Sequence, residues 1–256
     1  MRKLGEEYRV LGVKIHALQP SVARDIVKSW VEKESRFHYI SSTNINNVIV
    51  AIESQEFFKA MNEADLSLPD GMPLLWYGRW LGYKLPKRCG IEELMFEIFK
   101  LSDEGYDFSH YFYGNTEEVL SDLVNVLKQQ YPNLRIAGTY SPPFRELSEK
   151  ETKEIVEEIN ASEPDFLWVS LGCPKQELWM YRNRHRLNVR VAGGAGAVFN
   201  FISEHTRKAP PWIRYAGFEW IFRLVLDPRR LWKRYLIKYP KFFVLLLANL
   251  ARGNRL

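Results

Sequence analysis

Short apolar bursts closed by turn residues alternate with longer amphipathic stretches along most of this chain. The bursts predict strands near Val10–Ile15, Phe37–Ser41, Ala64–Leu68, His110–Tyr113, Leu134–Thr139, Phe166–Leu171 and Val189–Ala192. Between them, apolar positions at helical spacing predict helices near Ser21–Glu32, Asn46–Asn62, Met72–Leu81, Ile91–Ser102, Glu117–Gln130, Glu149–Asn160 and Pro174–Arg184. Strands separated by helices need crossover connections. The pattern therefore predicts an α/β fold with a mainly parallel, Rossmann-like sheet covered by helices on both faces.

Polar and glycine signals fall where strands give way to helices: Ser42-Thr43-Asn44, Pro69-Asp70-Gly71, Gly114-Asn115, Gly172-Cys173-Pro174 and Gly193-Gly194-Ala195-Gly196. In an open parallel sheet these junctions share the carboxyl edge, where ligands bind. Each alone reads as an ordinary turn or cap. Their recurrence predicts one shared cleft.

Charge divides the chain. The 256 residues carry +5 overall, yet the last fifty hold twelve Lys/Arg against Glu219 and Asp227, so the rest is net acidic. This division suggests an α/β body over 1–205 and a basic, aromatic, helical appendage over 206–256. Trp212, Phe218, Trp220, Phe222, Trp232, Tyr235 and Tyr239 alternate there with cations, and the apolar run Phe242 to Ala251 follows. Aromatics and snorkelling cations suit a bilayer interface. A run of ten is too short to span a hydrocarbon core, which needs about twenty residues, so this end is expected to lie on a membrane. The other reading makes the aromatics core and the charges a solvated face.

Composition removes several classes. Hydrophobic content of 46% suits a full core. Cys89 and Cys173 stand far apart without metal spacing, which fits a reducing compartment, and the amino terminus lacks the apolar stretch of a signal peptide. HExxH, GxSxG and GxxxxGK[ST] are absent, and Gly194-Ala195-Gly196 lacks the third glycine of a dinucleotide fingerprint. The five histidines are scattered, and no Asp-x-Asp pair offers to hold a divalent ion on a diphosphate. We expect no cofactor and no metal, so a diphosphate would be met by Arg, Lys and backbone N–H groups.

Two acidic residues remain open. Asp70 follows a predicted strand, before Gly71 and a helix, and is either a helix cap or a carboxylate facing the cleft. Lys175, Gln176 and Glu177 follow Pro174 at another strand end and can point into the same crevice to hydrogen-bond a sugar or base. Glu177 equally suits a first-turn acid answering the helix dipole.

The Pro69-Asp70-Gly71 turn, Tyr131-Pro132-Asn133-Leu134, Gly172-Cys173-Pro174-Lys175-Gln176-Glu177, the glycine turn before Ala197-Val198-Phe199-Asn200-Phe201, Arg207-Lys208-Ala209-Pro210, and Phe218-Glu219-Trp220-Ile221-Phe222-Arg223-Leu224 with Asp227-Pro228-Arg229-Arg230 stand in order from about Arg9 to Tyr235. Together they resemble the WecG/TagA/CpsF glycosyltransferases. The resemblance implies an inverting, metal-independent transfer from a UDP-sugar to a polyprenyl-diphosphate-linked acceptor sugar at the cytoplasmic membrane face. It implies a donor of N-acetylmannosamine type, its uronic acid or a glucose type, in teichoic acid or other cell-surface polysaccharide synthesis. It places the base on Asp70 and the Thr-x-Asn element on Ser42, Thr43 and Asn44, with serine replacing the usual threonine. It puts Gln176 on substrate, with Arg88, Gly172, Lys175, Glu177 and Gly194 completing that set. The diphosphate falls to Arg223 and Arg230, with Arg207 and with Lys233 where another arginine is common. Asn200 and Ser203-Glu204-His205 depart from the family pattern near the donor.

A competing class is a non-enzymatic module binding single-stranded nucleic acid through the tail, which gives the acidic body no role. The favoured reading has no nucleic acid partner and is compatible with a homo-oligomer. A nucleotide-sugar epimerase or dehydrogenase would need a dinucleotide site that the glycines do not supply.

Overall fold

The computed structural model describes residues 6–252. Strands β1 (Glu7–Val10) and β2 (Val13–His16) form an antiparallel hairpin outside the main sheet, which corrects the single strand expected over Val10–Ile15. Leu11 and Gly12 both take positive φ, 50° and 84°, and fold the chain back so that Val10 faces Val13.

The main sheet has six parallel strands: β3 (His38–Thr43), β4 (Leu66–Pro69), β5 (Ser109–Gly114), β6 (Arg135–Tyr140), β7 (Phe166–Ser170) and β8 (Val191–Gly194), in the order β4-β3-β8-β7-β5-β6. Alternate side chains enter opposite cores. Ile40, Phe112, Phe166, Trp168 and Val191 meet helices α1 (Pro20–Lys33), α5 (Ile91–Asp103), α6 (Glu117–Gln130) and α9 (Val198–Ile202). Tyr39, Tyr111, Tyr113, Leu167, Val169 and Ala192 meet α3 (Gln55–Glu63), α7 (Glu149–Ala161) and α8 (Lys175–Asn183). Burial on both faces explains why the strands read as apolar bursts.

The helix expected over Asn46–Asn62 is two helices, α2 (Ile45–Glu53) and α3. Ser54 takes an extended conformation and caps α3 through a bond from Phe57 N to its Oγ. A serine that satisfies an open N–H stops one helix and starts the next. Helix α4 (Met72–Trp80) follows β4.

Beyond β8 the tail runs as α10 (Pro211–Tyr215), α11 (Glu219–Leu226), α12 (Pro228–Trp232), a π-helical segment Lys233–Lys238, and α13 (Tyr239–Ala251). The sequence put Trp232 to Leu256 on a membrane surface as a whole. That expectation is corrected for part of the stretch, and its last residues, Gly253 to Leu256, lie outside those described. Tyr235 and Phe242 are core residues, 3% and 1% exposed. Phe242 joins the buried cluster that contains Val10, Ile15, Val48 and Leu74, and burying such a ring contributes on the order of 2 kcal/mol to holding α13 on the body. Trp220, Tyr235 and Tyr239 pack ring on ring, with centroids 5.0 to 6.3 Å apart. The opposite side keeps Leu236, Ile237, Phe243, Val244 and Leu247 exposed. Among the described residues no helix is long and apolar enough to cross a membrane.

Candidate active site

Strand β4 ends at Pro69, and Asp70 follows with its N–H donating to Thr43 O at 2.9 Å, which ties the ends of β3 and β4 together. The N-cap of α4 is Gly71, with no side chain capping. The capping alternative for Asp70 therefore falls. The half-buried carboxylate sits against Gly90, where an added Cβ would meet Asp70 Oδ1 at 2.9 Å. Burial raises the acid above the value of a free aspartate, opposed by the Arg88 cation. A free-peptide value is thus too low for this group, and a raised carboxyl is a better base near neutrality.

Arg88 is the hub of the site. Its guanidinium lies 3.7 Å from Asp70 Oδ1, 2.8 Å from Glu93 Oε1, 3.5 Å from Glu92 Oε2 and 2.9 Å from Glu219 Oε2. Tail cations complete the cluster. Arg214 reaches Glu92 and Glu93 at 3.3 Å, Lys208 contacts Glu92, and Arg223 pairs with Glu219 at 2.5 Å while lying 4.8 Å over the Phe201 ring. Four acids and four cations, drawn from body and tail, thus lock the tail over the carboxyl edge beside Asp70.

The other wall is polar and nearly closed. Asn44 caps α2, accepting from Asn46 N at 3.0 Å and Asn47 N at 3.3 Å. Ser42 Oγ accepts from Ile91 N at 3.3 Å, and Thr43 Oγ1 is buried without a partner. Gln176 Oε1 accepts from Gly172 N at 3.2 Å and Gly196 N at 3.0 Å, bracing the turns after β7 and β8. Gly194 permits this, because a Cβ there would meet Gln176 Nε2 at 2.7 Å. Gln176 Nε2 and Asn47 Nδ2 both donate to Glu177 Oε1, at 3.0 and 3.3 Å. Burial lifts the Glu177 carboxyl to about 7. Its Oε2 and Asn47 Oδ1 are buried without partners.

The sequence-expected residues separate into those assembled here and those left outside. Ser42, Thr43, Asn44, Asp70, Arg88, Gly172, Gln176, Glu177, Gly194 and Arg223 belong to this one region. Lys175 is exposed, so only Gln176 and Glu177 of that trio turn inward. The expectation that all three point into the crevice is corrected by helix geometry, since successive residues stand about 100° apart. Arg230 is 75% exposed and pairs with Asp227 at 2.6 Å. Arg207 and Lys233 are exposed as well, Arg207 lining a groove with Phe201 and Phe222, Lys233 with its ammonium 5.6 Å from the Trp232 ring. The remaining junction, Gly114-Asn115, lies against the end of β7, where a Cβ on Gly114 would meet Ser170 O at 2.5 Å. Asn115 O accepts from Ser141 Oγ at 2.8 Å, which joins that turn to the β6 edge.

Sequence reasoning missed Glu92, Glu93, Arg214, Asn47 and Arg234. Arg234 Nη2 donates to Asn44 Oδ1 at 3.4 Å. Only the unusual density of cations in the tail hinted at it. Among the described residues no group of three or more His, Cys, Asp and Glu is placed to hold a metal ion. Three histidines serve the core, His16 accepting from Ser67 N, His38 stacked on Trp30 and His110 on Phe166, while His185 and His205 are exposed.

The model of the glycosyl transferase WecG/TagA/CpsF family matches residues 8–256. A Bacillus subtilis strain 168 protein named N-acetylglucosaminyldiphosphoundecaprenol N-acetyl-beta-D-mannosaminyltransferase is 28% identical over 210 residues, covering 82% of this chain and 79% of its own. A Staphylococcus aureus protein of the same name, from strain NCTC 8325, is 27% identical over 217 residues, covering 85% and 81%.

Proposed function

The chain belongs to the WecG/TagA/CpsF family and is a glycosyltransferase, and we propose that it moves an N-acetylmannosamine-type sugar from a UDP-sugar to N-acetylglucosamine on a polyprenyl diphosphate. The acceptor and the transferred sugar follow the names of the Bacillus and Staphylococcus relatives. Such a product serves teichoic acid or a related cell-surface polysaccharide.

The observation that carries this reading is Asp70: a carboxylate at the carboxyl edge, free of capping duty, raised by burial and facing Arg88. Asp70 takes the proton of the acceptor hydroxyl as that oxygen bonds to the anomeric carbon. The bond to the diphosphate breaks on the opposite face, configuration inverts, and UDP leaves with the electron pair. Arg88 and Arg223 answer the charge that accumulates on the leaving group. Gln176, itself held by Glu177, keeps the glycine turns in place beneath the donor.

The exposed row Leu236, Ile237, Phe243, Val244 and Leu247, flanked by Arg229, Arg230, Lys233 and Lys238, supports a peripheral seat on the cytoplasmic face of the membrane that carries the acceptor. Each cation near an anionic surface adds on the order of 1 kcal/mol. The nucleic-acid reading loses its ground, because the chain belongs to an enzyme family and Lys208, Arg214, Arg223, Arg230 and Lys241 are engaged by acids of the fold. The test is a donor screen with a short-chain polyprenyl-diphosphate N-acetylglucosamine acceptor, reading released UDP. Release with a UDP-N-acetylhexosamine supports the reading, and no release with any UDP-sugar refutes it.

A further inference from the structure

Among the cations of the tail, Arg234 differs in its surroundings. Arg214, Arg223, Arg230, Lys208 and Lys241 each have a carboxylate within 4.0 Å. Arg234 has none at that distance among the described residues. Its Nε is fully buried without a hydrogen-bond partner, and its one side-chain bond is the long donation to Asn44 Oδ1 at 3.4 Å. Around it stand Tyr235, Tyr239 and Cys173, with Asp70 acting on it from further away. The guanidinium therefore hangs between the turn after β3, the turn after β7 and Asp70, with most of its donors unused.

Taking a cation out of water costs several kcal/mol unless an anion and hydrogen bonds compensate it. Here the fold supplies neither in full. A guanidinium has five N–H donors in a planar fork that matches two phosphate oxygens. The segment that carries it is π-helical, a winding found mostly as short insertions at functional sites. That winding also separates Arg234 from its neighbour: Lys233 faces outward over Trp232 while Arg234 turns inward.

We propose that Arg234 is a phosphate-binding cation of the site and takes the diphosphate of a bound substrate beside Asn44. This inference rests on the glycosyl-transfer reading for the identity of the ligand, but its chemistry needs only a diphosphate. It assigns to Arg234 the inward role that the sequence gave to Arg230 and Lys233. Arg234 binds and orients; Asp70 remains the proton acceptor.

Two substitutions separate charge from volume. Arg234→Met keeps the aliphatic length and removes the fork, and Arg234→Lys keeps the charge without the fork. The probes are inorganic pyrophosphate, UDP and uridine, each titrated by calorimetry, with thermal unfolding of the ligand-free protein alongside. Arg234→Met is expected to weaken pyrophosphate and UDP about tenfold or more, with Arg234→Lys between it and the wild type. Uridine binding and the ligand-free Tm should hold or the Tm rise, since an uncompensated charge has been removed. If instead UDP affinity is unmoved while the KM for the lipid acceptor rises, the diphosphate at Arg234 is the acceptor's. Unchanged binding of pyrophosphate and UDP with an unchanged acceptor KM overturns the proposal. So does a parallel loss of uridine binding and Tm, which would make Arg234 a packing residue. Pyrophosphate binding reads Arg234 even if no UDP-sugar is turned over, so the failure of one reading is not mistaken for the failure of the other.

Discussion

At the β4–β3–β8–β7 side of the sheet, the strand-end turns lie beneath the tail and hold Asp70, Arg88, Gln176 and Glu177 among compensating charges and buried amides. At the β5–β6 side, Asn115 and Ser141 bond to one another beside an open groove of about 590 Å³. Both halves end their strands in glycine or asparagine turns. What differs is the cover. Where Glu219, Arg214 and Arg234 descend from the tail, water is displaced and the same kinds of side chain acquire shifted acidities. Where nothing descends, they remain caps and turn contacts. Chemistry at this edge depends on which turns another segment closes over.

The hub of the covered half should give the largest effect. Arg88→Met leaves Asp70, Glu92, Glu93 and Glu219 facing one another with one cation fewer, and should destabilise the protein by on the order of 3 kcal/mol while abolishing turnover. Urea unfolding and released UDP check both. A small change in midpoint would mean that the cluster is more solvated than its geometry indicates.

Next in size is Asp70→Asn, which removes basicity and keeps shape. Turnover should fall by about 10²-fold or more, with UDP affinity and Tm little changed because no cap is lost. Since burial raises this acid, the acid limb of kcat/KM in the wild type should lie above the value of a free aspartate. A limb at the free-peptide value would remove Asp70 from the covered, desolvated half.

Glu177 gives a pH signature to the same half. Its folded-state value, about 7, lies above its ordinary 4.5, so the folded protein holds this proton over that interval and the unfolded chain does not. Its contribution is fully present below about 4.5, declines as pH rises towards 7, and is lost above. The change corresponds to on the order of 3 kcal/mol at most. Relative to wild type, Glu177→Gln should therefore gain stability as pH goes from 5 to 8, by an amount reduced by the bonds it disturbs with Gln176 and Asn47. Parallel stability curves for the two proteins across that range would show Glu177 to be ionised throughout.

The smallest effect belongs to the open half. Ser141→Ala breaks the bond to Asn115 O and should cost on the order of 1 kcal/mol or less without altering turnover. A loss of activity there would mean that the uncovered edge also meets substrate.

Much of this protein is written in local pattern. Alternating burial on two faces is a property of each strand, so the apolar bursts at Phe37–Ser41 and Phe166–Leu171 announce the parallel sheet without knowledge of their neighbours. The turn at Pro69-Asp70-Gly71 and the Gly172 to Glu177 segment are legible only as a set, since each alone reads as an ordinary turn or cap and their recurrence at strand ends points to one edge. Short-range breaks are less visible. The hairpin at Leu11-Gly12 and the restart at Ser54 each hang on the conformation of one or two residues inside a continuous apolar pattern. The tail marks the limit of sequence alone. Composition fixes its charge, but Arg230, Lys233 and Arg234 are equivalent cations within five residues, and nothing local says which turns inward. That choice falls to the docking of Tyr235 and Phe242 on the body and to the π-helical winding between them. Only tertiary packing sets the rotational phase of a helix, and phase decides which cation loses its water and needs an anion.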